Sequence, residues 1–85
     1  MPTDSAATVP PVIDLRPLIP PERHGMVFAA LEQLAPGASF VLINDHAPIP
    51  LLRHIEQLWP GRFLSEWLKD GPVEWQIAIT RAAEA

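Results

Sequence analysis

Ser39-Phe40-Val41-Leu42-Ile43-Asn44-Asp45 is the stretch whose reading decides the fold. Ser39 to Ile43 reads as one continuous apolar run, closed by the turn formers Asn44 and Asp45. A run of this kind is a strand buried within a sheet. Upstream, Pro20-Pro21-Glu22-Arg23 reads as a helix start: proline suits the first turn, and Glu22 complements the helix dipole. Val27, Ala30, Leu31 and Leu34 then recur at helical spacing, with Glu32 and Gln33 opposite, until Pro36-Gly37 ends the helix. Before it, Val12 to Leu15 is a short β-branched run that suits a first strand. Downstream, Pro48 and Pro50 introduce a second helix with Leu51, Leu52, Ile55, Leu58 and Trp59 as its apolar stripe. Arg53, Glu56 and Gln57 face water, and Pro60-Gly61 stops it. Phe63 to Leu68 is a third strand, and Asp70-Gly71 signals a tight hairpin. The fourth strand alternates, with Val73, Trp75, Ile77 and Ile79 on one face and Glu74, Gln76, Ala78 and Thr80 on the other.

The order is βαβαββ. Two helices cover only one face of four strands, which predicts an α/β (α+β) two-layer sandwich: a four-stranded mixed sheet with both helices on one face. The expected core is Val27, Leu31, Leu34, Leu42 or Val41, Leu52, Ile55, Trp75 and Ile77. On the third strand, Phe63, Ser65 and Trp67 share one face and Leu64, Glu66 and Leu68 the other, and the pattern leaves open which points inward. An aromatic on the uncovered face marks a partner surface.

The chain has 85 residues, the length of one small domain with one modest core. Residues 1–11, polar and proline-rich, read as a flexible leader; residues 82–85 read as a frayed tail. Residues 12–81 form the single domain. Cysteine is absent, which excludes thiolate nucleophiles, cysteine-ligated zinc, iron–sulfur clusters and persulfide carriage on this chain. The net charge of −4 argues against nucleic-acid binding, which needs basic surface. No apolar run approaches the ~20 residues of a membrane span, and Met1 to Pro10 lacks the features of a signal peptide. A cytoplasmic protein, monomeric or weakly dimeric, is expected.

A βαβ crossover makes the first two strands parallel, so their carboxyl ends share one edge of the sheet. Ligands of open α/β sheets gather outside such ends. The loop and helix start after strand one carry Arg16, Glu22, Arg23 and His24; the loop after strand two carries Asn44, Asp45 and His46. These seven are the candidate ligand- or partner-binding residues, and helix N-termini at this edge favour anions. Each also has a structural reading. Glu22 and Arg23 belong to a helix start, and Asn44 and Asp45 are ordinary turn and capping residues. A hydrogen bond from His24 to Asp45 or the strand-two loop would tie the loops together. His24 and His46, with Asp45 or Glu22 as a third ligand, are the candidate set for a divalent transition metal, although their spacing matches no local metal motif. His54, on the flank of the second helix, reads as solvated or packed. No catalytic constellation is visible: there is no Cys or Tyr, Ser39 and Ser65 lack a base in context, and no glycine-rich phosphate loop exists.

Ile13-Asp14-Leu15-Arg16, Pro20-Pro21-Glu22-Arg23-His24, Leu34-Ala35-Pro36-Gly37 and Asn44-Asp45-His46-Ala47-Pro48-Ile49-Pro50-Leu51 occur in that order. With Pro60-Gly61-Arg62-Phe63 and Gly71-Pro72-Val73-Glu74-Trp75, they resemble the uncharacterised bacterial family of domain-of-unknown-function number 2249. The resemblance spans Val12 to Arg81. It implies a domain that occurs alone or fused to hemerythrin-like domains, and it carries no established activity. More distantly, the chain is similar to the TusA/SirA sulfur-relay family. That similarity implies the same βαβαββ fold, with Pro20-Pro21 where those proteins carry a Cys-Pro pair, so the sulfur-carrying residue is missing. The expected function is a non-enzymatic binding or regulatory module acting through the loop edge, with a hemerythrin-like protein among its candidate partners. The alternatives are a metal-binding or redox-associated protein using His24 and His46, and a sulfur-relay accessory that docks without carrying sulfur.

Overall fold

A computed structural model describes residues 10–83, so the leader and tail expectations lie mostly outside the described residues. The elements follow the expected order: β1 (Val12–Asp14), α1 (Pro20–Gln33), β2 (Ser39–Asn44), α2 (Ile49–Leu58), β3 (Phe63–Asp70) and β4 (Trp75–Arg81). The sheet order is β1-β2-β4-β3. β1 runs parallel to β2, whereas β4 is antiparallel to both β2 and β3. β3 is therefore parallel to β2, and both crossovers move in the same direction across the sheet. Because such crossovers are right-handed, α1 and α2 pack on the same face. The fold is a four-stranded mixed sheet with two helices, as the sequence predicts.

Register separates the two faces. Phe40 pairs with Ile79 and Leu42 with Ile77, and all four side chains are buried beneath the helices. Val41, paired with Val12 and Ala78, points to the open face. Leu15, Val27, Leu31, Leu51 and Ile55 complete the core, against which Leu34 and Leu52 are only partly buried. Trp67 pairs with Ile77 and Ser65 with Ile79, so Phe63, Ser65 and Trp67 share the helix-side face and Leu64 and Glu66 the open one.

Two expectations need correction. Trp75 sits on the helix-side face but is only half-buried, because it lies at the first position of β4, beyond the layer of buried residues that the helices cover. It packs edge-on against Trp67, with ring centroids 5.9 Å apart. The hairpin is also longer than a two-residue turn. β3 continues to Asp70, which pairs with Trp75 across Gly71-Pro72-Val73-Glu74. Pro72 lacks the N–H that a ladder position requires, so Val73 leaves the strand and stands 78% exposed. The Gly71–Pro72 peptide is cis, and the Gly71 N–H donates to Glu74 O at 2.9 Å.

Candidate functional site

The carboxyl ends of β1 and β2 meet the starts of α1 and α2, as the parallel pairing requires. Arg23, on the first turns of α1, spans this junction. Its Nε donates to Leu18 O at 2.8 Å; its Nη1 donates to Asn44 Oδ1 at 2.8 Å and to Asp45 Oδ1 at 3.0 Å. Its Nη2 donates to Asp45 Oδ2 at 3.1 Å and to Arg16 O at 3.3 Å. The guanidinium thus joins three segments: the loop after β1, the end of β2 and the turn beyond it. Asn44 is the one buried polar residue among the described residues, 4% exposed, and Arg23 satisfies its side-chain oxygen. The same guanidinium bonds, with a contribution from His46, hold the Asp45 carboxyl well below the usual carboxylate range.

Around this latch lies a cavity of about 90 Å³ lined by Leu15, Pro20, Arg23, His24, Asn44, His46, Pro48, Pro50 and Leu51. Of the seven candidate residues, four therefore line one cavity: Arg23, His24, Asn44 and His46. Asp45 is held just outside it by Arg23. Arg16 does not line it; its Nε and Nη2 clasp Asp14 at 2.9 and 2.8 Å and its Nη1 reaches Glu74 at 3.5 Å. The Arg16 bonds pull the Asp14 pKa down to about 2. Glu22 is exposed in the first turn of α1 and does not contribute to the lining.

The imidazole bonded to Asp45 is that of His46, whose Nδ1 lies 2.7 Å from Asp45 Oδ1, and not that of His24. His24 instead lies along α1 near Phe28, ring centroids 6.3 Å apart. His54 packs edge-on against the same Phe28, centroids 5.2 Å apart. Among the described residues, no group of three or more His, Asp or Glu is placed to hold a metal ion. The set of His24, His46 and Asp45, with or without Glu22, is therefore not assembled: Asp45 is turned toward Arg23. At the start of α1 the N–H groups that would favour an anion are largely taken. Pro20 and Pro21 bring no N–H, and the Glu22 and Arg23 N–H groups both donate to Ile19 O, at 3.0 and 3.2 Å.

The sequence reading omitted the apolar half of the site. Leu15 and Leu51 form its floor and Pro20, Pro48 and Pro50 its walls. It also omitted Trp75, which pairs in register with Asn44. The hairpin held the signal for the last pair, since a turn near Gly71 returns the start of β4 to the end of β2.

Among the described residues, no helix is long and apolar enough to cross a membrane. Comparison with curated proteins and with solved structures returned no match. One protein-family model does match, over residues 12–81, and that span contains every strand, both helices and the whole loop edge. The chain belongs to the family of uncharacterised conserved proteins designated DUF2249.

Proposed function

We propose that this domain is a non-enzymatic, regulatory docking module whose loop edge receives one side chain of a protein partner. The cavity carries this reading. Its volume of about 90 Å³ suits a single inserted side chain, whereas sites for drug-sized molecules run to about 300–1,000 Å³. The Arg23 latch preorganises both loops, which lowers the ordering cost of binding. Ile19 and Ile49, each next in sequence to lining prolines, are exposed apolar residues. Apolar residues beside a pocket suit the buried centre of an interface, which is more apolar than the surface around it. His24 and His46 supply polar edges for orientation. In this reading the domain is a cytoplasmic relative of the TusA/SirA fold in which Pro20 replaces the sulfur-carrying cysteine and the edge serves as a binding surface.

The partner class suggested by the family resemblance is a hemerythrin-like domain. Titrating such a purified domain into the ¹⁵N-labelled chain should shift the amides of His24, Asn44 and His46 and the indole N–H of Trp75. His46→Ala and Ile49→Ala should each weaken that binding with the melting temperature nearly unchanged. Shifts confined to the open sheet face, or binding indifferent to both substitutions, would refute the loop-edge reading.

A further inference from the structure

A second cavity, of about 150 Å³, is lined by Leu31, Glu32, Trp59, Arg62, Phe63 and Arg81. It lies at the opposite end of the sheet from the loop edge, where β2 and β3 begin and β4 ends. Both helices end there too: Leu31 and Glu32 belong to the last turn of α1, and Trp59 caps α2. Arg62 sits in the turn that follows, its N–H donating to Trp59 O at 3.0 Å. Arg81 continues the column of Ile77 and Ile79, so a guanidinium follows two buried isoleucines on the helix-side face.

The lining divides by chemistry. Leu31 is buried, and the half-buried Trp59 and Phe63 meet edge to face with ring centroids 5.6 Å apart. These three give the cavity an apolar wall. Arg81 is anchored, its Nη1 donating to Leu34 O at 2.9 Å. Glu32 and Arg62 differ from it: neither side chain makes a hydrogen bond or ion pair among the described residues. Opposite charges that line one cavity without pairing leave room for a molecule that bridges them. The planar fork of Arg62 matches a carboxylate, and the Glu32 carboxylate matches an ammonium group. The helix ends add to the second match, because neither helix has a basic residue in its last turn and helix carboxyl ends attract cations. A purely anionic ligand would meet Glu32, and a purely cationic one would meet two arginines. Size sets the remaining bound, since the cavity is about half the roughly 300 Å³ at which sites for drug-sized ligands begin.

We infer that this cavity binds a free α-amino acid with an apolar side chain. Arg62 takes its carboxylate, Glu32 its ammonium group, and Leu31, Trp59 and Phe63 its side chain. The site shares no lining residue with the loop edge, so it stands or falls independently of the docking reading.

Titrating L-leucine and L-phenylalanine into the ¹⁵N-labelled full chain tests it. At least one should bind saturably with a Kd of about 1 mM or tighter. It should shift the Glu32, Arg62 and Arg81 amides and the Trp59 indole N–H, and leave the His46 amide in place. The analogues lacking one charge are 4-methylpentanoate and isoamylamine for leucine, 3-phenylpropanoate and phenethylamine for phenylalanine. Each should bind about tenfold more weakly than its parent, as loss of one charged hydrogen-bonding group implies. Arg62→Gln should weaken amino-acid binding by a similar factor. Glu32→Gln should weaken the amino acid but leave the des-amino analogue no weaker, a split that general loss of structure would not produce. Both positions are exposed, and circular dichroism checks that the variants fold. Four results overturn the inference: binding weaker than about 1 mM for both amino acids, shifts centred elsewhere, an analogue that matches its parent, or binding indifferent to both substitutions.

Discussion

Arg23 spends all five of its N–H donors inside the fold, on Leu18 O, Arg16 O, Asn44 Oδ1 and both Asp45 oxygens. A side chain so engaged has nothing left for a ligand, so its work is to fix the loops, and the exposed imidazoles are the groups that remain for recognition. Lysine has the charge but lacks the planar fork, and it cannot span these acceptors. Arg23→Lys should lower the melting temperature far more than the same change at exposed Arg53, and differential scanning fluorimetry compares them. Asn44→Ala removes the buried acceptor and should cost about 1–3 kcal/mol in urea unfolding. The same latch sets the acid response. The Asp45 carboxyl, held by Arg23, and the Asp14 carboxyl, held by Arg16 at about 2, both lie below the ordinary value of 3.8. Groups with depressed folded-state pKa values stabilise the fold fully above their unfolded value and lose that contribution as they protonate. Stability should therefore be flat above about pH 5 and fall between roughly pH 4 and 2. Asp45→Asn should flatten part of that slope in melts run across the window. None of this was legible from Arg23 in the sequence, where a helix-start reading sufficed, because its acceptors come from segments up to 22 residues away.

At the scale of elements, the strands and helices were legible because periodicity and proline punctuation agree to within a residue at every boundary outside one hairpin. The exception is the β3–β4 hairpin, where Asp70-Gly71 suggested a tight turn and Pro72 imposed a longer one. Gly71 has φ of +70°, and a Cβ placed there would stand 2.5 Å from the Trp75 ring. Gly71→Ala combines left-handed strain with displacement of that ring, and should cost about 2–4 kcal/mol. The change should also alter the Trp67–Trp75 contact, visible in near-ultraviolet circular dichroism. Gly25 is the contrasting case. It lies within α1 with open space around its Cα, so Gly25→Ala should stabilise the protein by about 0.5–1 kcal/mol. Opposite signs at two glycines separate turn geometry from helix propensity in one set of denaturation curves.

At the scale of the molecule, the two-layer architecture places the proposed site and the core on different surfaces. The helix-covered face holds nearly all the buried apolar residues, the loop edge holds the cavity, and β3 lies largely uncovered. That division explains why the meeting of the two loops at one edge was legible in the sequence while the lining of the cavity was not. Topology follows from strand order and handedness, whereas the lining depends on which side chains the α2 start and the β4 start bring alongside. Trp75 shows the difference: its face was legible, but its half-exposure follows from where the helical layer ends. The same architecture makes a quantitative demand on β2. Phe40 and Leu42 point under the helices, while Val41 and Ile43 point to the open face, shielded only by neighbouring strands. Leu42→Ala should cost about 2–5 kcal/mol, a large part of the roughly 4–13 kcal/mol expected for a chain of this size. Ile43→Ala, one residue along, removes fewer contacts and should cost about 1 kcal/mol. Substituting Phe40 through Ile43 one at a time should give destabilisation that alternates with a period of two in urea unfolding. Equal costs at all four positions would mean that a second layer covers the open face, and the two-layer description would then have to be given up.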